Sequence, residues 1–158
     1  MKTRSWWLAG RMLAWAAALR VLKRLPLARL VSLVRPRVAG TASAYDSDPA
    51  RIVALAQTAS AWTSRRPETL CLVRSLVGYR YLCRAGFKPE LRIGLARQDA
   101  LAGHAWVELD GQAINDHPAS VAAFTPVLAI ASDGRVSRLS VTQDSQLKTH
   151  NSRLMTDH

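Results

Sequence analysis

The sequence has only two cysteines, too few for a secreted disulfide scaffold, which needs several pairs. Cys71 and Cys83 fall twelve residues apart on one predicted helix, ~18 Å at the standard helical rise and far beyond disulfide reach. Both are read as free thiols suited to a reducing cytoplasm. Long apolar runs are also missing. The longest near the start, Met12 to Leu19, covers eight residues, where a membrane span needs about twenty. "TASA" at 41–44 has the small residues of a signal-peptidase site, but Arg20, Lys23, Arg24, Arg29, Arg35 and Arg37 break up the stretch before it, against a cleaved signal. Acidic residues are absent ahead of Asp46, so nine of the eleven excess positive charges of this 158-residue chain lie in its first quarter. That charge is confined to one strongly apolar segment without a base-reading motif, which argues against nucleic-acid binding. No internal repeat is present.

What is present reads as one domain of ordinary size, with 49% hydrophobic residues to build a core. Leu8, Met12, Trp15, Leu19 and Leu22 recur at spacings of four and three, an apolar helical stripe among arginines. Pro26 should end or kink that helix, and "LARLVSLVRP" forms a second short piece before the loop "AGTASAYDSDP". A third helix is expected in "PARIVALAQTASAW", capped by Asp48 ahead of Pro49, with Ile52, Leu55, Ala56, Ala59 and Trp62 on one face. The Cys71 helix is expected from about Pro67 or Glu68 to Gly86, burying Leu70, Val73, Leu76, Val77 and Leu82, with Gly86 as its left-handed cap. The period then changes to two. "ELRIGLAR" and "HAWVELD" read as strands, "DG" as a hairpin turn, "QAINDH" as the returning strand and "FTPVLAIAS" as another strand before an "SDG" turn. The order of helices followed by an antiparallel sheet gives an α+β fold. Three sections result: a basic helical segment over 1–45, a globular domain over 46–141 and a polar, aperiodic tail over 142–158.

Cys71 is expected in the first turn of its helix, where unpaired backbone N–H groups and the positive end of the dipole favour a thiolate. Cys83, in the last turn, reads as a small buried hydrophobe. His104 opens a strand and could serve Cys71 as a general base held on a rigid element. Asp116 lies twelve residues further, on the other arm of the hairpin, where a carboxylate could orient the imidazole. Asn115 and His117 are rivals, with side chains expected on the face opposite to Asp116. The turn decides the pairing. A two-residue Asp110-Gly111 turn sets His104 opposite His117, whereas a three-residue loop with Gly111 as a bulge sets His104 opposite Asp116, so an aligned site selects the bulged loop. Trp106 should share the His104 face and could wall a cleft.

A cysteine at a helix start followed by a histidine and an aspartate on neighbouring strands resembles the transglutaminase-like and papain-like cysteine hydrolases. More closely, "CLVRSLVGYRYLCRAGFKPELRIGLAR" with "LAGHAWVELDGQAINDH" is similar to the peptidase domain of the B-type proteins of lasso-peptide maturation, from about Pro67 to Pro126. The resemblance implies Cys71 as nucleophile, His104 as base and Asp116 as its orienter, with no cofactor or metal. It implies a substrate as well, a ribosomal precursor peptide from which the leader is removed. The basic segment is too short for the leader-recognition domain of fused family members, so the resemblance points to a free-standing peptidase half. Its partners would be a separate leader-recognition protein and an ATP-dependent macrolactam cyclase that receives the released core. A non-catalytic peptide-binding adaptor and a transglutaminase-type acyl transferase remain alternative readings. The basic helix has three: packing on the core, docking on a partner, or lying peripherally on an anionic membrane.

Overall fold

The computed structural model describes residues 2–22, 25–34, 48–63, 70–96 and 102–139. The helices come first: α1 (Lys2–Leu22), α2 (Leu27–Val34), α3 (Pro49–Thr63) and α4 (Leu70–Arg84). After them come β1 (Glu90–Ala96), β2 (Gly103–Leu109), β3 (Gln112–Ala113), α5 (Pro118–Ala122), β4 (Phe124–Ile130) and β5 (Val136–Arg138). The five strands form one antiparallel sheet in the order β3-β2-β1-β4-β5. The architecture is α+β, with the helices preceding the sheet. The expected division at 45/46 and the tail over 142–158 lie outside the described residues.

α4 is the centre of the molecule. It packs on α1, α2 and α3 and on strands β1 and β2, and Val73, Leu76, Val77, Tyr79, Tyr81, Leu82 and Cys83 are all buried. Its burial exceeds the one apolar stripe expected, because helices cover one side and the sheet residues Leu91, Val107 and Ile130 join the same core. Leu70, at its outer end, is only half-buried. The C-terminus follows the sequence signal: Gly86 takes φ 89°, Phe87 N–H donates to Leu82 O at 3.1 Å and Gly86 N–H to Cys83 O at 3.2 Å. These two bonds satisfy carbonyls that the helix end would otherwise leave unpaired.

The inward stripe of α1 consists of Leu8, Met12, Ala16 and Leu19, with Trp15 and Leu22 packed beside it. Burying the three large side chains contributes about 5–9 kcal/mol at the usual value per residue, enough to hold that face on the core. The Arg80 guanidinium, from α4, lies 4.0 Å above the Trp15 ring. The first helix stops at Leu22 ahead of Pro26, as the proline requires. In α3, Asp48 caps by accepting from Ala50 N–H at 2.9 Å. Its buried face is Ile52, Val53, Ala56, Ala59 and Ser60, turned slightly from the expected one, so Leu55 is half-buried and Trp62 is 82% exposed.

The hairpin differs from expectation. Leu109 pairs with Gln112 and Glu108 with Ala113, so the turn is the two-residue Asp110-Gly111, both at positive φ (51° and 78°), as the twist of a tight hairpin favours. The bulged three-residue loop is not formed. The returning strand is also shorter than "QAINDH", ending after Ala113. α5 and β5 had no counterpart in the sequence reading, being only five and three residues long.

Candidate active site

The site forms where α4 passes the start of β2. Ser75 Oγ donates to the Ala105 carbonyl at 2.8 Å, which fixes the helix against the strand one turn beyond Cys71. Cys71 stands at the outer end of α4, half-buried, while Cys83 is buried at the other end. The Cys71 thiol is hydrogen-bonded to His104. Opposite it, the His104 Nε2 N–H donates to Asp116 Oδ2 at 2.7 Å. With Nε2 taken by the carboxylate, Nδ1 is the ring nitrogen left for the thiol. The structure thus brings Cys71, His104 and Asp116 into one chain of hydrogen bonds.

Burial pushes the Cys71 thiol up, but the hydrogen bond to His104, the Ala105 amide, the charge of His104 and the Leu72 amide together outweigh it, holding the thiol below its ordinary value of 9.0. His104 moves the other way. Its bond to Cys71 raises it above 6.5; burial opposes this, and the Asp116 bond and both neighbouring charges add to the rise. Opposite shifts in one hydrogen-bonded pair favour the thiolate–imidazolium form, the arrangement that activates a cysteine nucleophile.

The imidazole stacks with two aromatic rings: Phe124 at 4.7 Å between centroids and Trp106 at 6.1 Å, each within about 22° of parallel. Trp106 is buried and its indole N–H donates to Glu108 Oε1 at 2.8 Å; Glu108 Oε2 is ion-paired with the Arg92 guanidinium, 2.8 Å from Nε. Gly94, paired with His104 across the ladder, makes room for these rings. A Cβ there would come within 3.0 Å of both Trp106 Cη2 and Phe124 Cβ.

Two residues beside Cys71 were not anticipated. Arg74 Nη2 donates to Asp116 Oδ2 at 2.7 Å, the same oxygen that receives His104. Ser75 Oγ accepts from Asn115 Nδ2 at 2.8 Å, and Asn115 Oδ1 in turn accepts from Val107 N–H at 2.8 Å. Gln57 Nε2, from α3, donates to the Asn115 carbonyl at 3.1 Å. The signal for Arg74 was its spacing of three from Cys71, which places both on one side of the helix. The rival orienters do not face His104: Asn115 is buried against Ser75 and Val107, and exposed His117 caps α5 by accepting from Ala119 N–H. The alternation that set Asn115 on the face opposite to Asp116 does not hold here, because the ladder ends at Ala113: Asn115 turns to Ser75 and Asp116 to Arg74 of the same helix.

The sequence matches the profile of the transglutaminase-like superfamily over residues 12–129. The chain belongs to the transglutaminase-like superfamily. Its members are usually cysteine-dependent enzymes, in keeping with a cysteine on a helix facing a histidine on a strand. The matched region begins within α1 and reaches β4, so it contains every residue of the site. No curated protein and no solved structure matches the chain.

Proposed function

We propose that this protein is a cysteine peptidase that removes the leader from a ribosomally made lasso-peptide precursor. The observation that carries the peptidase reading is the hydrogen-bonded series Cys71–His104–Asp116, with the thiol held low and the imidazole raised. The lasso-peptide assignment is supported by the paired segments around "CLVRSL" and "HAWVELD".

In this mechanism the Cys71 thiolate attacks the carbonyl carbon of the last leader residue, forming a C–S bond as the carbonyl π pair moves to oxygen. Collapse of that adduct breaks the C–N bond, and the His104 imidazolium gives its proton to the departing amine of the core peptide. His104, now neutral, takes a proton from water as the water attacks the thioester. The leader leaves with a free carboxylate and Cys71 returns to the thiolate. Asp116 holds the imidazole in the tautomer that presents Nδ1 to the sulfur and supports its positive charge. A separate leader-binding protein delivers the precursor and raises the rate at least tenfold, about 1.4 kcal/mol of transition-state stabilisation. The released core passes to an ATP-dependent macrolactam cyclase.

The test incubates a lasso-peptide precursor with the protein, with and without a separate leader-binding protein, and reads intact masses. Two fragments whose masses sum to the precursor plus one water support the peptidase. A leader fragment joined to an added amine identifies an acyl transferase instead. Undiminished cleavage by the Cys71→Ala variant would end the cysteine-enzyme reading, and an intact precursor with an unreactive Cys71 would favour an adaptor.

A further inference from the structure

The outward side of α1 takes no part in the core or the site. Among the described side chains between Trp7 and Val21, the exposed positions are Trp7, Gly10, Leu13, Ala14, Ala17, Ala18 and Val21, all without charge or hydrogen-bonding side chains except the indole. They cover about 140° of the helix circumference over ~21 Å, opposite the buried stripe. Exposure of Trp7 at 61%, Leu13 at 40% and Val21 at 76% makes this a continuous apolar surface rather than scattered residues. Trp62, on the neighbouring helix α3, is a further exposed aromatic.

The charge around this face says what it fits. In the sequence Lys2 and Arg4 precede this stretch, Arg11 and Arg20 lie within it, Lys23 and Arg24 follow it, and no acidic residue occurs before Asp46. Arg11, half-exposed, stacks its guanidinium 4.3 Å from the Trp7 ring. An apolar face with an arginine stacked on an indole near one end, in a segment whose sequence carries only positive charge, has the chemistry to enter the headgroup boundary of an anionic bilayer. No helix among the described residues is long and apolar enough to cross one. We propose that the outward face of α1 docks the protein peripherally on an anionic lipid surface, while its inward face stays packed on α3 and α4. This holds whatever substrate the cysteine site acts on.

Sedimentation of the full chain with mixed phosphatidylglycerol–phosphatidylcholine vesicles tests the proposal. Binding should exceed that to phosphatidylcholine alone by at least about tenfold and weaken as salt screens the cations. Trp7 fluorescence can be followed in parallel through the Trp7→Phe difference. The double variant Ala14→Glu, Ala17→Glu should lose binding while keeping its far-ultraviolet circular dichroism, since both positions are exposed. Gly10→Leu supplies a gain to check against a loss. A Cβ at Gly10 meets nothing within 4 Å, so the larger side chain extends the apolar face and should bind several-fold more tightly. Absence of binding to anionic vesicles overturns the proposal, as does equal binding by the double glutamate variant. A soluble dimer that the glutamates dissociate, with no vesicle binding, would assign the face to a second copy of this chain instead.

Discussion

Two buried serines make opposite predictions for the same substitution. Ser60 and Ser75 are both fully buried. Ser75 Oγ donates to the Ala105 carbonyl and accepts from Asn115 Nδ2, each at 2.8 Å, whereas Ser60 Oγ has no hydrogen-bond partner among the described residues. Ser75→Ala removes both bonds and leaves a carbonyl and an amide N–H buried, at about 1–3 kcal/mol for each stranded group. A loss of about 2–4 kcal/mol is expected after partial relaxation. Ser60→Ala removes a hydroxyl already desolvated without compensation and improves helix propensity, so it should be neutral or stabilising by about 0.5–1.5 kcal/mol. The measurement is urea unfolding followed by circular dichroism, comparing midpoints at unchanged slope. Ser75→Ala should also slow the enzyme, because the carbonyl it releases belongs to Ala105, whose amide serves the Cys71 sulfur. Stability losses within about 0.5 kcal/mol of each other would refute the claim that the Ser75 network, rather than apolar burial alone, fastens α4 to β2.

Cys71→Ala should abolish leader removal while Cys83→Ala leaves it within a few-fold, read by intact mass on the precursor. Because Cys71 is lowered and His104 raised, the midpoint of Cys71 alkylation against pH should fall below 9.0, the ordinary thiol value. Replacing His104 by Ala removes two of the lowering influences while burial remains, so that titration should move upward; an unmoved profile would detach the histidine from the thiol. Arg74→Met should reduce kcat by about 10–100-fold, as a group that places Asp116 rather than the reacting atoms would. Arg74→Lys should recover part of the loss, and Asp116→Asn should be impaired more severely than either, since its amide carries no charge to support the imidazolium.

Much of the molecule was legible in the sequence because the signals were local. Asp48 before Pro49, Gly86 after Arg84, and the change from helical to alternating period at Glu90 each depend on only a few neighbouring residues. Cys71, His104 and Asp116 could be singled out by residue type and by their order along a helix and a hairpin, although Asp116 lies in the bend after β3 and not on the expected strand. The network that holds them could not be read in this way. Arg74 and Asp116 are 42 residues apart, and Ser75 and Asn115 are 40 apart, so their pairing follows from how α4 crosses the hairpin. Trp62 was misplaced for a related reason: α3 turns its Ile52, Val53 and Ala56 side inward, a rotation its own periodicity does not determine. The three-residue β5 and five-residue α5 are too short to carry a period at all.

The hairpin turn and the alignment of the site are separable, and Gly111 tests this. In the observed register the continued ladder would set Ala105 opposite Asp116, which would then face away from His104. The ladder does not continue. Ile114 N–H donates to Val107 O at 3.0 Å, but Val107 N–H is taken by the Asn115 side chain at 2.8 Å in place of the Ile114 carbonyl. That substitution ends the strand, and the bend over Ile114 to Asp116 lets the carboxylate swing to His104 and Arg74. Asp116 is therefore placed by Asn115 and by two neighbouring α4 residues, with no contribution from a bulge at the turn. Gly111 sits at φ 78° with nothing within 4 Å of a Cβ, so Gly111→Val meets backbone strain alone, about 1–2 kcal/mol. The variant should lose that much stability while its folded fraction keeps specific activity within a few-fold, and Gly111→Asn should lose less of both. A drop of more than tenfold in the activity of folded Gly111→Val protein would mean that the turn does set the Asp116 register, and that the Asn115 anchor is a consequence of that register rather than its cause.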